Sequence, residues 1–240
     1  MHVHLPKPIH GWRQFFGEVG IIVIGVLIAL AFEQVVEWAH WRHVVHQDEE
    51  VLNGQVEGYY GAMLARVDQQ ACIDQRLSDL GVILARHDAG TPLGITGPIG
   101  RLSAFGGDDS AFEMAIADQS LAHMSLASKQ RFYDARGSYK TFIASQDIEM
   151  EAWRTLRTVD RQAHLSPSDW SDIAKAYDRA VDVNGVMKAN LTTTNATTWL
   201  TPFGSFEKPT DASLRSLPWV KQLCAGTVIG KTAGNGKAGA

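Results

Sequence analysis

Hydrophobic residues fall into two kinds of pattern along the chain. The first is an unbroken run, Val19 to Phe32, with 14 residues and no charge. As a helix it is about 21 Å long, short of the roughly 30 Å of a bilayer core. Its flanks make up the difference, with Phe15 and Phe16 before it and Val35, Val36 and Trp38 after it. A helix from Trp12 to Trp38 covers roughly 39 Å. Trp12 at one end and Trp38 with Trp41 at the other match the aromatic belts of a membrane span. Residues 12–41 are therefore expected to be a transmembrane anchor.

The second kind of pattern repeats at three- and four-residue steps. From Trp41 to about Arg86 the positions are Leu52, Val56, Tyr59, Met63, Val67, Ile73, Leu77, Leu80 and Leu84. This is the seam of a helix packed on long neighbours, and it predicts that the anchor runs on without a break. Gly54, Gly58 and Gly61 interrupt it, each costing up to about 1 kcal/mol relative to Ala. They imply either a close helix approach or a bend. Residues 87–109 hold Gly90, Pro92, Gly94, Gly97, Pro98, Gly100, Gly106 and Gly107, too many breakers for a helix.

Ser110 and Glu113 have the spacing of a capping box that opens a short helix to about His123. Ser125 or Ser128 starts the next helix, to about Arg161, with Phe132, Tyr139, Phe142, Trp153 and Leu156 inward. Ser166-Pro167-Ser168-Asp169 is a further start signal. That helix is expected to bury Trp170, Ile173, Tyr177, Val181, Met187 and Leu191 and to end in the run Thr192–Thr198. A short docked piece around Leu217–Cys224 follows, and residues 225–240 read as a disordered tail. Alternating strand patterns are scarce. The expected fold is all-α, with the anchor helix continuing into an antiparallel bundle of long helices over residues 42–224.

Charge sets the expected topology. Lys7, Arg13 and the amino terminus precede the apolar run, whereas residues 33–50 carry Arg42 against Glu33, Glu37, Asp48, Glu49 and Glu50. The positive side faces the cytoplasm, which makes residues 1–11 a cytoplasmic tail and residues 42–224 periplasmic. The alternative is a cleaved signal peptide, with Ala29-Leu30-Ala31 as the cleavage site. Against it stand Glu18 at the border of the apolar core and the helical pattern that carries on past Ala31. A net charge of −4 gives no electrostatic footprint for nucleic acid. The two cysteines, Cys72 and Cys224, lie on the exported side, where an even count in an oxidising compartment points to a disulfide tying the first long helix to the carboxy-terminal segment; two buried thiols are the alternative, since spacing alone does not show proximity.

Candidate chemistry is sparse. Ala225–Thr232 fits a relaxed phosphate-loop pattern, but the Gly-rich residues after it cannot form the helix that such a loop needs, so no nucleotide is expected. His43, His46 and Glu50 share a helical spacing used by metal sites, but as exposed groups beside other acids they are weak candidates. Glu18 and Glu33 lie at the two edges of the span, where an ionisable group is a candidate proton or cation carrier. Gly25 and Ala29 form a small-xxx-small pair that lets two span helices pack closely. Asp108 and Asp109 fit a capping role. No HExxH, GxSxG, CxxC or GxGxxG pattern occurs, and no cofactor or catalytic residue is expected.

Glu18, the stretch Ile21–Leu30 and Glu33-Gln34 together resemble an amino-terminal signature of bacterial single-span membrane proteins, a GE-[apolar]-IG-[apolar]-LIAL anchor followed by a polar residue. The resemblance covers about 30 residues and implies the inner membrane, with no site residues attached. The expectation is a non-enzymatic interaction or scaffold protein that contacts the bilayer and a protein partner or a second copy. The alternatives are an accessory subunit of an ion-driven envelope complex using Glu18, and a periplasmic ligand-sensing bundle.

Overall fold

The computed structural model describes residues 11–106, 108–193 and 217–230. The expected tail over residues 1–10, most of the threonine run and residues 201–216 and 231–240 lie outside them. Among the described residues there are seven α-helices, one 3-10 segment and no strand. The helices are α1 (Trp12–Asp68), α2 (Gln70–Asp88), α3 (Ser110–Ala117), α4 (Ser120–His123), α5 (Leu126–Leu156), α6 (Pro167–Thr193) and α7 (Pro218–Leu223). The fold is all-α.

Helix α1 has 57 residues and is about 86 Å long. Among the described residues it is the one helix long and apolar enough to cross a membrane, and none of that apolar segment is buried. Past Trp41 the same helix enters the bundle, where Leu52, Val56 and Tyr59 are buried.

The helix does not continue to Arg86 in one piece. It breaks at Gln69, whose side chain donates to the Ala65 carbonyl at 3.1 Å. That carbonyl would otherwise accept the Gln69 amide, which turns instead to the Arg66 carbonyl at 3.2 Å. The break needs neither proline nor glycine.

Contacts fix the helix directions. Tyr59 of α1 stacks on Tyr139 of α5, and Arg66 pairs with Glu149 farther along both helices, so α1 and α5 run parallel. In α6, Asn184 meets Arg66 while Trp170 stacks on His87, so α6 runs antiparallel to α1 and α2. The antiparallel pairs thus involve α6, and the α1–α5 pair is parallel. A parallel pair requires a crossover, and residues 89–125 supply it. The irregular stretch at 89–109 returns the chain along the bundle, and α3 and α4 bring it back beside α1.

Helix ends follow local chemistry. Ser125 caps α5 by accepting the Ser128 amide at 3.0 Å. Ser166 and Asp169 form a reciprocal box, with Asp169 accepting the Ser166 amide at 2.7 Å and Ser166 accepting the Asp169 amide at 3.3 Å. The box expected at Ser110 does not form. Asp109 takes the cap position without a side-chain cap bond, and the Ser110 amide donates to Asp108 at 2.9 Å. The helix expected to reach His123 is split after Ala117 by Gln119, in the left-handed region at φ 67°.

Residues 217–230 form a strap on the far end of the bundle. α7 packs Val220 and Leu223 inward, and Ile229 pairs with Ile95 in an isolated antiparallel bridge. Residues 225–230, assigned from sequence to a disordered tail, are instead docked. The approach is close at Gly100, φ 79°, where a Cβ would stand 3.0 Å from the Leu223 amide nitrogen. Only glycine fits there.

Candidate functional site

The seams of α5 and α6 are stricter than their apolar residues reveal. Phe132, Ala135, Tyr139, Phe142, Gln146, Glu149, Trp153 and Leu156 are all buried on α5. On α6 the seam runs through Trp170, Ile173, Tyr177, Ala180, Asn184, Met187 and Leu191. Polar groups therefore occupy core positions. On α1, Arg66 takes the seam in place of Val67, which is 42% exposed, and on α6 Ala180 is buried while Val181 is 40% exposed. Choosing the more apolar neighbour of each pair put Val67 and Val181 inward; the strict three-four step picks the correct ones.

Arg66 and Glu149 form a two-pronged ion pair, with Nη2 to Oε1 at 2.8 Å and Nε to Oε2 at 3.3 Å. Both side chains are at most 3% exposed. Arg66 also donates to Gln70 at 2.8 Å and to Asn184 at 2.9 Å. Asn184 and Gln70 both donate onward to Asp74, at 2.9 and 2.7 Å, and Lys188 reaches Asp74 at 3.0 Å. Burial pulls the Asp74 carboxyl up, but the bonds from Asn184, Lys188 and Gln70 together outweigh it and hold the group below its ordinary value. The network ties four helices at one level.

This layer divides the core into two hydrophobic clusters. The distal cluster holds Ile73, Leu80, Trp153, Ile173 and Leu223. Cys72 and Cys224 are joined there by a disulfide, with a Cα–Cα distance of 4.9 Å. Arg76, fully buried, donates to the carbonyls of Gln222 and Leu223 at 3.1 and 3.0 Å and pairs with Asp79 at 3.3 Å. Asp79 in turn accepts the Val228 amide at 2.8 Å and the Thr227 hydroxyl at 2.9 Å. One arginine and one aspartate thus satisfy the end of α7 and the strap beyond it.

The proximal cluster holds Leu52, Val56, Tyr59, Phe112, Phe132 and Tyr139. Asp109 is clamped by Arg136 at 2.6 Å, Lys140 at 2.9 Å and the Tyr59 hydroxyl at 2.8 Å. The Arg136 bonds foremost hold its carboxyl far below the usual carboxylate range. Burial, with Asp109 adding to it, pushes the Tyr59 phenol above its ordinary value. The Asp109 carboxylate, engaged by α5 and α1, makes no side-chain cap bond to α3, and the Glu113 amide donates to the Asp109 carbonyl at 3.0 Å, which places Ser110 inside the helix. Beside the clamp lies an open groove of about 790 Å³ whose floor is Gly54, Gly58 and Gly61 and whose walls include Phe105, Met114 and Tyr139. A Cβ on Gly54 or Gly58 would meet nothing within 4 Å. No close helix approach uses the missing side chains of Gly54 and Gly58, and the helix runs through all three glycines without a break.

The residues singled out from sequence are scattered. Glu18 and Glu33 are exposed on the apolar segment of α1, as are Gly25 and Ala29, and no atom lies within 4 Å of a Cβ on Gly25. His46 and Glu50 approach to 3.7 Å, both exposed, but among the described residues no three metal-ligating side chains come together, and His43 is not joined to the pair. Gly226 to Gly230 of the phosphate-loop pattern belong to the strap, and Lys231 and Thr232 lie outside the described residues. No protein-family model, curated protein or solved structure matches the chain.

Proposed function

We propose that the protein is a single-span anchored helical interaction module, with residues 1–11 in the cytoplasm and the bundle in the bacterial periplasm. It acts without catalysis by presenting the bundle to a protein partner or a second copy. The observation that carries this reading is the continuity of α1: one helix leads from a wholly exposed apolar segment into the seams of the bundle. An exposed apolar stretch of this length needs lipid or protein cover, and an unbroken helix holds the bundle at a fixed angle to whatever supplies it. The disulfide agrees with an oxidising compartment.

The test is alkaline extraction of membranes, followed by mild solubilisation and isolation through a carboxy-terminal tag. Retention in the membrane with a stoichiometric companion, or a defined oligomer, is expected. Release by alkali, or a lone monomer at every detergent level, would sink the reading. Glu18→Gln separates a scaffold from an ion-driven subunit: the scaffold keeps its companion and its cellular role, and the motor loses its role.

A ligand-sensing bundle is the second reading, favoured by the glycine-floored groove. It requires a compound that raises the melting temperature of the wild type and loses that effect when Gly58→Leu fills the floor.

A further inference from the structure

The foot of the bundle carries a cleft of about 950 Å³ where α1 leaves the apolar segment. Gln34, Trp38, Trp41, Val45 and Glu49 line it along about 22 Å of α1. His123 of α4 forms the opposite wall, stacked on Trp41 at 3.6 Å. The lower end, at Gln34, lies among the exposed apolar residues Phe32, Val35 and Val36, and the upper end reaches the bundle. Arg42 folds back one turn over the Trp38 ring, with its guanidinium 5.3 Å from the ring centre. That posture brings the charge down to the tryptophan, the level at which an aromatic belt meets lipid headgroups. Among the described residues Arg42, Glu37 and Glu49 make no ion pair, although Glu49 is half-buried. The cleft therefore sets one cation and two carboxylates, all without ionic partners among those residues, against indole rings.

We propose that this cleft seats the headgroup of one zwitterionic aminophospholipid from the leaflet on the bundle side, with its phosphate on Arg42 and its ammonium drawn to Glu37 and Glu49. A guanidinium presents a planar fork of donors that fits two phosphate oxygens. Glu37 and Glu49 stand below and above Arg42 on α1 and both face the cleft. Two carboxylates against one guanidinium leave the lining acidic, which favours a headgroup that carries its own cation. An anionic headgroup would set its surplus charge against Glu37 and Glu49. The acyl chains descend along the exposed apolar face of α1 below Gln34, the surface that needs lipid cover. The site rests on the anchoring reading, because lipid reaches the cleft only if the apolar segment crosses the bilayer.

The experiment is native mass spectrometry of the full chain, released from micelles doped with equal amounts of phosphatidylethanolamine and phosphatidylglycerol. One phosphatidylethanolamine is expected to stay bound in preference to phosphatidylglycerol by roughly two- to fivefold, the range of exposed ion pairs. Glu37→Gln with Glu49→Gln should bring that ratio to about one, while Arg42→Gln lowers retention of both lipids. Glu50→Gln, exposed and outside the cleft lining, keeps the wild-type ratio. None of these side chains belongs to either core cluster, so the variants keep the fold. No preference in the wild type, an unchanged ratio in the double variant, or undiminished retention in Arg42→Gln would each overturn the site. So would a lost preference in Glu50→Gln, since bulk charge would then set the selection. Glycerophosphoethanolamine, which lacks acyl chains, should not displace the lipid; displacement would assign the cleft to a soluble ligand instead. Alkaline extraction separates the two levels of failure. Release of the chain from membranes sinks the anchoring reading and this site with it, whereas retention without lipid preference sinks the site alone.

Discussion

The distal and proximal halves of the bundle share the same three long helical strands yet are closed by different means. The distal half is fastened by a cross-link, a buried arginine and a strap whose backbone bonds to Arg76, Asp79, Thr96 and Gly94. The proximal half, nearer the apolar segment, has stacked tyrosines, a charge clamp and an open groove. The buried layer of Arg66, Glu149 and Asn184 stands between them. One half is closed by a covalent bond, and the other by an ion-pair clamp on Asp109.

The largest effect is expected at the boundary between them. Arg66→Ala strands the Glu149 carboxylate in the core and should reduce stability by about 3–5 kcal/mol, measured by denaturant titration in detergent. Arg66→Met with Glu149→Leu should recover most of that loss, because the charge and its counter-charge leave together. A double variant no better than the single one would show that the layer holds register rather than simply neutralising itself.

Next comes the distal fastening. Replacing both Cys72 and Cys224 by Ser should lower stability by about 2–5 kcal/mol, with loss of amide protection confined to α2, α7 and the strap. Equal loss around Tyr59 and Tyr139 would mean that the two halves unfold as one.

The clamp on the proximal side comes third. Asp109 has its pKa held below the unfolded value, so the stability it adds is full above about pH 4 and declines as pH falls through its folded value. Asp109→Asn should lower stability at pH 7 by about 1–3 kcal/mol and flatten the acid limb of the stability profile. An acid limb that persists unchanged would assign it to Asp74 or another carboxylate.

The smallest effect is on the groove floor. Gly58→Ala meets no atom within 4 Å and sits in mid-helix, so it should raise thermal stability by up to about 1 kcal/mol. A loss instead would show that the groove is narrower than its open floor implies.

The apolar segment, the long helices, the Ser166 box and the Ser125 cap were all legible in the residues, because each rests on interactions a few positions apart. The positions misread from sequence were decided by distant partners. Arg66 is buried because Glu149 and Asn184 receive it, and a hydrophobicity pattern assigns the seam to Val67 next door. Gln69 breaks α1 with its own side chain, a choice that leaves no proline or glycine as a marker. The Ser110 box is absent because the helix begins one residue early, with Asp109, held by α1 and α5, in the cap position. The parallel α1–α5 pair has no local signal either; the long irregular crossover was its trace, visible only as an abundance of Gly and Pro. The glycines of α1 show the same limit, since their spacing points to a packed face while the structure leaves the floor of the groove open.

The cross-link also constrains the order of assembly. Its two cysteines are 152 residues apart in the chain, and α3 to α6 are all made between them. Cys72 cannot close this bond until most of the bundle has been synthesised, and the contacts of Arg76 and Asp79 with the strap hold Cys224 beside it. A cross-link closed this late in synthesis acts as a seal on the bundle once residues 72–224 are all made. A thiol-blocking reagent given during synthesis should trap chains whose helices have formed but whose last segment is still loose.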